Sequence, residues 1–228
     1  MAAYQIPLQI KLDDAATFDN YLAAGNESVV RILREATEPC LYLWSSEATG
    51  KTHLLQALCH IHLPGESMYL PLQELVQQPA AVLEGLEQFA LVCLDDVQYI
   101  AGDQNWETAL FHLFNLLREC GGQLCMTGNV PPNQLRLKLA DLQSRIGWGP
   151  VFQLQPLTDD DKIAAMQLRA ERRGFELPVD VAGFLLKRYP RDLHSLFALL
   201  DQLDHASLQA QRRLTIPFVR QWLNPESE

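Results

Sequence analysis

Between Leu41 and Leu58 an apolar strand, Leu41-Tyr42-Leu43-Trp44, passes through Ser45-Ser46-Glu47-Ala48-Thr49-Gly50-Lys51-Thr52 into a helix-forming run, Leu54-Leu55-Gln56-Ala57-Leu58. Few local patterns restrict a fold as tightly. A strand, a loop ending Gly-Lys-Thr and a helix, in that order, make a phosphate-binding loop of the form G-x-x-x-x-G-K-[ST]. Backbone N–H groups and the helix N-terminus cradle phosphate oxygens, the lysine neutralises the terminal ones, and the hydroxyl holds Mg²⁺. The triplet alone is common in proteins, and its seat between two apolar elements is what gives it weight. Ser46, Glu47, Ala48, Thr49, Gly50, Lys51, Thr52 and His53 are therefore the candidate nucleotide contacts. Ser45 stands where the first glycine of the pattern belongs. Nucleotide holding is expected, and intrinsic hydrolysis is left open.

Around this loop, strands and helices alternate. Short apolar runs at Ser67–Leu70, Phe89–Leu94, Gln123–Thr127 and Val151–Leu154 read as strands. Between them lie helical stretches at Thr17–Glu35, Leu54–His62, Pro71–Val76, Val82–Phe89 and Trp106–Cys120, the last stopped by Gly121-Gly122. A further helix is expected from Pro132-Asn133, with Arg145 near its C-terminus. Such alternation implies an α/β core with a five-stranded parallel sheet covered on both faces. After Pro156 the texture changes: Thr158-Asp159-Asp160-Asp161 starts a helix ending at Gly174, and Val179–Arg188, Arg191–Leu208 and Ile216–Leu223 follow without a strand. The expected organisation is a tail over residues 1–12, an α/β nucleotide domain over 13–156, and a small all-helical domain over 157–228.

Composition narrows the function. The 228 residues carry 28 acidic against 18 basic side chains, a net charge of −10. That disfavours nucleic-acid backbone binding as the main activity, and Arg169 to Arg173 is the best local basic patch. Five cysteines show no C-x-x-C pair and no zinc spacing. No apolar run approaches the roughly 18 residues of a membrane span, and Met1-Ala2-Ala3-Tyr4 is no signal peptide. A reduced cytoplasmic setting without membrane contact is the expectation.

Other residues carry candidate chemistry. Asp95 and Asp96 close a buried strand, where the first suits Mg²⁺ and the second an attacking water. Asn129 follows the strand beside the phosphates, placed to sense the terminal phosphate or to shape a turn before Pro131-Pro132. Arg145 favours a helix dipole at its C-terminal end. Arg191 in a first helical turn opposes the dipole, so Asp192 or a bound phosphate is expected to compensate. In the tail, Gln5 followed by Leu8 and Ile10 suits a partner pocket flanked by a polar contact.

Together with the loop, the segments Thr17-Phe18-Asp19-Asn20-Tyr21, Leu94-Asp95-Asp96-Val97-Gln98, Thr127-Gly128-Asn129-Val130-Pro131-Pro132, Ser144-Arg145-Ile146-Gly147-Trp148-Gly149 and Arg191-Asp192-Leu193 occur in order. With them the chain resembles the DnaA-like branch of the AAA+ ATPases over residues 13–228. It is similar to the regulatory inactivators of DnaA, which have a Q-x-x-L-x-[LI] tail and no origin-binding domain. The resemblance implies ADP (or ATP) with Mg²⁺ as cofactor, Lys51 and Thr52 as the Walker A pair and Asp95 with Asp96 as Walker B. It also implies Asn129 at sensor 1, Arg191 at sensor 2, and Arg145 as an arginine finger acting in trans on a neighbour's nucleotide. Gln5, Leu8 and Ile10 become the peptide for the sliding clamp, the beta subunit of DNA polymerase III. The implied function is negative regulation of replication initiation: an ADP-bound protein on the DNA-loaded clamp stimulates ATP hydrolysis by DnaA. Its own ATPase would be weak or absent, its contact with DNA indirect, its location the nucleoid through the replisome, and its self-association undecided. The alternatives are a self-contained AAA+ ATPase of the helicase-loader type and a small-molecule kinase, for which the core lacks an arginine-rich lid insertion.

Overall fold

The computed structural model describes residues 12–13, 16–35, 38–46 and 48–223, apart from the side chain of His194. Gln5, Leu8, Ile10 and Glu47 lie outside the described residues. The chain divides into two compact units, Met1–Pro156 and Leu157–Glu228. Among the described residues, no helix is long and apolar enough to cross a membrane.

In the first unit β1 (Cys40–Trp44), β2 (Ser67–Pro71), β3 (Leu91–Asp95), β4 (Gln123–Gly128) and β5 (Val151–Gln153) form one sheet in the order β2-β3-β4-β1-β5. Every pairing is parallel, so the expected five-stranded parallel sheet is present. Alternation along the strands divides the core. Tyr42, Leu70, Val92, Leu94, Leu124 and Met126 face α3 (Leu72–Leu75), α4 (Gln104–Cys120) and α5 (Ala140–Ile146). Leu41, Leu43, Tyr69, Leu91, Cys93 and Cys125 face α1 (Glu27–Glu35) and α2 (Lys51–His60). A strand covered on both faces has no polar side to show, which is why these segments read as unbroken apolar runs. Leu43, Leu54, Leu55, Leu94 and Leu110 are all fully buried, each a contribution of about 1.5–3 kcal/mol.

Three helical expectations change. The stretch Thr17–Glu35 breaks into a 3₁₀ turn, Phe18–Asn20, and a helix that starts only at Glu27. Gly25 there takes φ +88°. The Asn26 amide clamps the backbone of Gln155, donating to its carbonyl at 3.1 Å and accepting its N–H at 2.8 Å. The stretch Val82–Phe89 becomes two 3₁₀ turns, Ala80–Leu83 and Leu86–Gln88, split by Gly85 at φ +80°. The helix expected from Pro132 is only a turn, Pro132–Gln134, and α5 begins afresh at Ala140. Leu139, before α5, has no side chain able to cap it. The fully buried Glu107 carboxyl of α4 instead fixes the segment leading into α5, accepting the N–H groups of Lys138 and Leu139 at 2.8 Å and of Gly102 at 2.7 Å.

The second unit consists of α6 (Asp159–Arg172), α7 (Val179–Arg188), α8 (Leu193–Ala210) and α9 (Ile216–Leu223), with no strand among its described residues. Met166, Val181, Leu185, Leu200 and Phe218 fill its centre. A capping box opens α6: Thr158 Oγ1 accepts the Asp161 N–H at 3.2 Å, and the Asp161 carboxylate accepts the Thr158 N–H at 2.9 Å. The basic segment considered for nucleic acid is engaged within this unit. Arg169 pairs with Asp201 at 3.1 Å, and Arg173 pairs with Asp201 at 2.6 Å and Asp204 at 3.4 Å.

Candidate nucleotide site and the opposite edge of the sheet

The C-terminal ends of β1, β4 and β3 lie side by side, which is where open α/β sheets bind ligands. β1 leads into the loop Ser45–Gly50, β4 ends at Thr127-Gly128, and β3 ends at Asp95. Gly50 is the residue before α2 and adopts φ +83°, φ space that an L side chain disfavours. A Cβ there would also lie 2.8 Å from the Tyr21 ring. Ser45 is different. Positive φ among the described non-glycine residues is confined to Ala24, Asp96 and Gln211, so the first loop position has no backbone need for glycine. The serine is buried, and its N–H donates to the Gly128 carbonyl at 3.2 Å.

Lys51 donates from Nζ to the Ser45 carbonyl at 3.0 Å, folded back along the loop. Burial pulls its pKa below the ordinary lysine value, opposed by the charges of Asp96 and Asp95. Opposite it, the buried Asp95 carboxylate gathers three hydroxyls. Thr52 and Tyr69 donate to Oδ2 at 2.6 and 2.8 Å, and Thr127 donates to Oδ1. Burial, followed by the negative charge of Asp95, drives the Tyr69 phenol well above its usual pKa. Thr127 Oγ1 also accepts the N–H of Asp96 at 2.9 Å, which fixes Asp96 in the left-handed region at φ 60°. Asn129 is exposed just past β4, and its backbone N–H donates to Gln98 Oε1 at 3.2 Å.

The N-terminal segment is stitched onto the loop. The Tyr21 hydroxyl donates to the Thr49 carbonyl at 3.0 Å, and burial pushes its pKa up to about 12. His53 Nε2 lies 2.7 Å from the Thr17 carbonyl, which can only accept, so this nitrogen carries the proton. Tyr69 was not among the residues singled out from the sequence, and Tyr21 and Thr127 entered only as members of motif segments with no role of their own. For Tyr69 and Thr127 the available signal was weak: a hydroxyl inside an otherwise apolar strand next to the strand carrying the aspartate.

Mg²⁺ suits the donor set. A threonine hydroxyl and a carboxylate, both hard oxygens, stand 2.6 Å apart at Thr52 and Asp95. No group of three or more His, Cys, Asp or Glu that could hold a metal occurs among the described residues. The ion would therefore depend on phosphate oxygens to complete its ligands, which is how Mg²⁺ is usually held.

Arg145 stands apart from the loop, and Arg191 belongs to the second unit. Arg191 lies just before α8, not in its first turn, because Asp192 is the N-cap and accepts the Ser195 N–H at 2.8 Å. Its exposed ion pair is with Asp159 at 2.9 Å. Arg145 is at the opposite edge of the sheet from the loop. Its guanidinium sits 5.2 Å from the Trp148 ring and 5.9 Å from the Phe114 ring. Those two rings line a cavity of about 330 Å³ with Pro39, Cys40, Leu124 and Pro150, at the starting ends of β1, β4 and β5. The five residues of β1 separate this edge from the loop, roughly 13 Å at the rise of a parallel strand.

The profile of the bacterial DnaA ATPase domain matches residues 12–153. The chain belongs to that family. Residues 159–223 match a second profile, described as Hda, lid domain. Among solved structures, domain III of DnaA from Thermotoga maritima is similar at a TM-score of 0.76 and 23% identity, covering 92% of this chain and 95% of that one. AMPPCP-bound DnaA from Aquifex aeolicus follows at 0.67 and 23%, over 84% and 66%. The Thermotoga maritima RuvB branch migration motor follows at 0.63 and 18%, over 87% and 68%. At these identities the structures speak for the fold: a DnaA-like AAA+ core followed by a helical lid.

Proposed function

We propose that this chain is a DnaA-related replication regulator that holds an adenine nucleotide at its own loop and supplies Arg145 to ATP bound by DnaA. Family membership joined to an Hda-type lid supports the regulatory class, and the AMPPCP-bound relative supports the nucleotide. Lys51, the loop amides and the α2 N-terminus would hold the phosphates, with Arg191 contributing from the lid. Thr52 and Asp95 would hold Mg²⁺, which screens and orients phosphate oxygens when bound. Asp96 and Asn129 would act at the terminal phosphate, and ADP would suffice for a pocket that sets the conformation. Gln5, Leu8 and Ile10 would dock on the sliding clamp and bring the chain to DNA indirectly.

One observation carries the reading of Arg145. It lies at the sheet edge remote from its own loop, and no carboxylate stands within ion-pair distance of it among the described residues. A cation so placed is available to an outside phosphate. Fingers supplied in trans contribute about 10³–10⁵ in rate in GTPases. The test is ATP hydrolysis by DnaA with this chain and DNA-loaded clamp. Arg145→Ala should abolish stimulation, and Gln5→Ala with Leu8→Ala should remove the stimulation gained by adding clamp. Full stimulation by Arg145→Ala, or no need for clamp in the unaltered protein, would overturn the corresponding part.

A further inference from the structure

Two guanidinium groups rest on one indole at the starting edge of the sheet. Arg118 of α4 lies 4.3 Å from the Trp148 ring centroid and Arg145 lies 5.2 Å from it. Neither has a carboxylate within ion-pair distance among the described residues. Like charges brought together repel, and the electron-rich ring face is what offsets that repulsion here. Trp148 as a residue is 59% exposed, so burial does not fix its side chain. Beside it the cavity lined by Cys40, Phe114, Leu117 and Leu124 leaves room for the ring to turn inward.

The backbone beneath the ring is rigid. A Cβ on Gly149 would lie 2.0 Å from the Cys40 carbonyl, so only glycine lets the chain pass this close to β1. The Pro150 carbonyl accepts the Tyr42 N–H at 3.0 Å, and the Trp148 N–H donates to the Arg145 carbonyl at 3.1 Å. A fixed backbone, an exposed ring and two cations leave one free variable, the orientation of the indole. We infer that Trp148 is the positioning residue for Arg145, and that Arg118 holds the indole in the orientation that presents the Arg145 guanidinium outward. This rests on the proposed role of Arg145 in trans. Pre-placing the group before the partner arrives is worth rate, because reorganisation at the moment of reaction is avoided.

The test measures the stimulated hydrolysis rate of DnaA-bound ATP as this full chain is titrated onto DNA-loaded clamp. Trp148→Ala should lower the maximal rate roughly 10- to 100-fold, the scale of a misplaced catalytic group, with the half-saturating concentration little changed. Arg118→Gln should lower it about two- to fivefold, the factor for one exposed cation–π contact. Trp148→Phe keeps an aromatic face and should restore most of the rate, which also answers for any fold defect of the alanine variant. In an Arg145→Ala background neither change should matter further. A shift confined to the half-saturating concentration would make Trp148 a docking residue and overturn the inference. So would equal losses with and without Arg145. Normal stimulation by Arg145→Ala alone would overturn the finger itself, and the positioning role with it.

Discussion

At the edge of the sheet where the strands end, charge is met from within the protein: Asp95 accepts from Thr52, Tyr69 and Thr127, and Lys51 donates to the Ser45 carbonyl. At the edge where they begin, Arg118 and Arg145 lean on Trp148 with no carboxylate within ion-pair distance of either among the described residues, and Glu38 lines the cavity beside the ring. The first edge is complete before any ligand arrives, which suits a pocket that retains a nucleotide. The second is electrostatically unfinished, which suits a surface awaiting someone else's phosphate. On the proposed reading, one sheet would separate holding from donating by the length of a strand.

The sharpest way to break this contrast is at Lys51. Lys51→Ala should weaken ADP binding roughly 10- to 100-fold, on the scale of losing a charged hydrogen-bonded partner, as read by calorimetry. Affinity close to that of the unaltered protein would mean the phosphates are held elsewhere. Next comes Gly149→Ala, which forces a methyl against the Cys40 carbonyl and should cost about 1–3 kcal/mol in urea unfolding. Its damage should fall on the Trp148 edge while ADP binding by the folded protein persists. Tyr69→Phe removes one of three donors to Asp95 and should cost about 1 kcal/mol; a neutral result would show that the other two hydroxyls suffice.

The smallest effect is a control in the helical unit. Hydrogen bonds from the Thr158 hydroxyl and N–H hold the Asp161 carboxyl below its ordinary 3.8. A depressed carboxylate stabilises the fold above its unfolded pKa and loses that contribution as pH falls through the folded value. Acid should therefore lower the stability of the unaltered protein slightly more than that of Thr158→Ala below about pH 4. ADP affinity at neutral pH should be the same for both.

The loop was legible because strand, turn and helix are contiguous from Leu41 to Leu58, and local order needs no knowledge of distant contacts. The sheet was legible for a related reason, since double burial writes itself as apolar runs. What escaped depends on contacts across the chain. Tyr69 and Thr127 reach Asp95 from positions 26 and 32 residues away. Arg118 meets Trp148 only because α4 ends beside the turn into β5. Glu107 reads as one more polar residue of an amphipathic helix, yet it anchors the segment leading into the helix that carries Arg145. Ser45 gave the opposite lesson. It looked like damage to the loop, and the backbone there has no need of a glycine. For Arg191 the expected compensation was Asp192 or a bound phosphate; Asp192 caps α8, and the cation pairs with Asp159.

The separation of holding from donating is tested most directly by titrating ADP into the unaltered protein and into Arg145→Ala in parallel. The account predicts equal affinities, because the guanidinium stands a strand's length from its own loop. A loss of tenfold or more, about 1.4 kcal/mol, would place Arg145 on the chain's own nucleotide and contradict it.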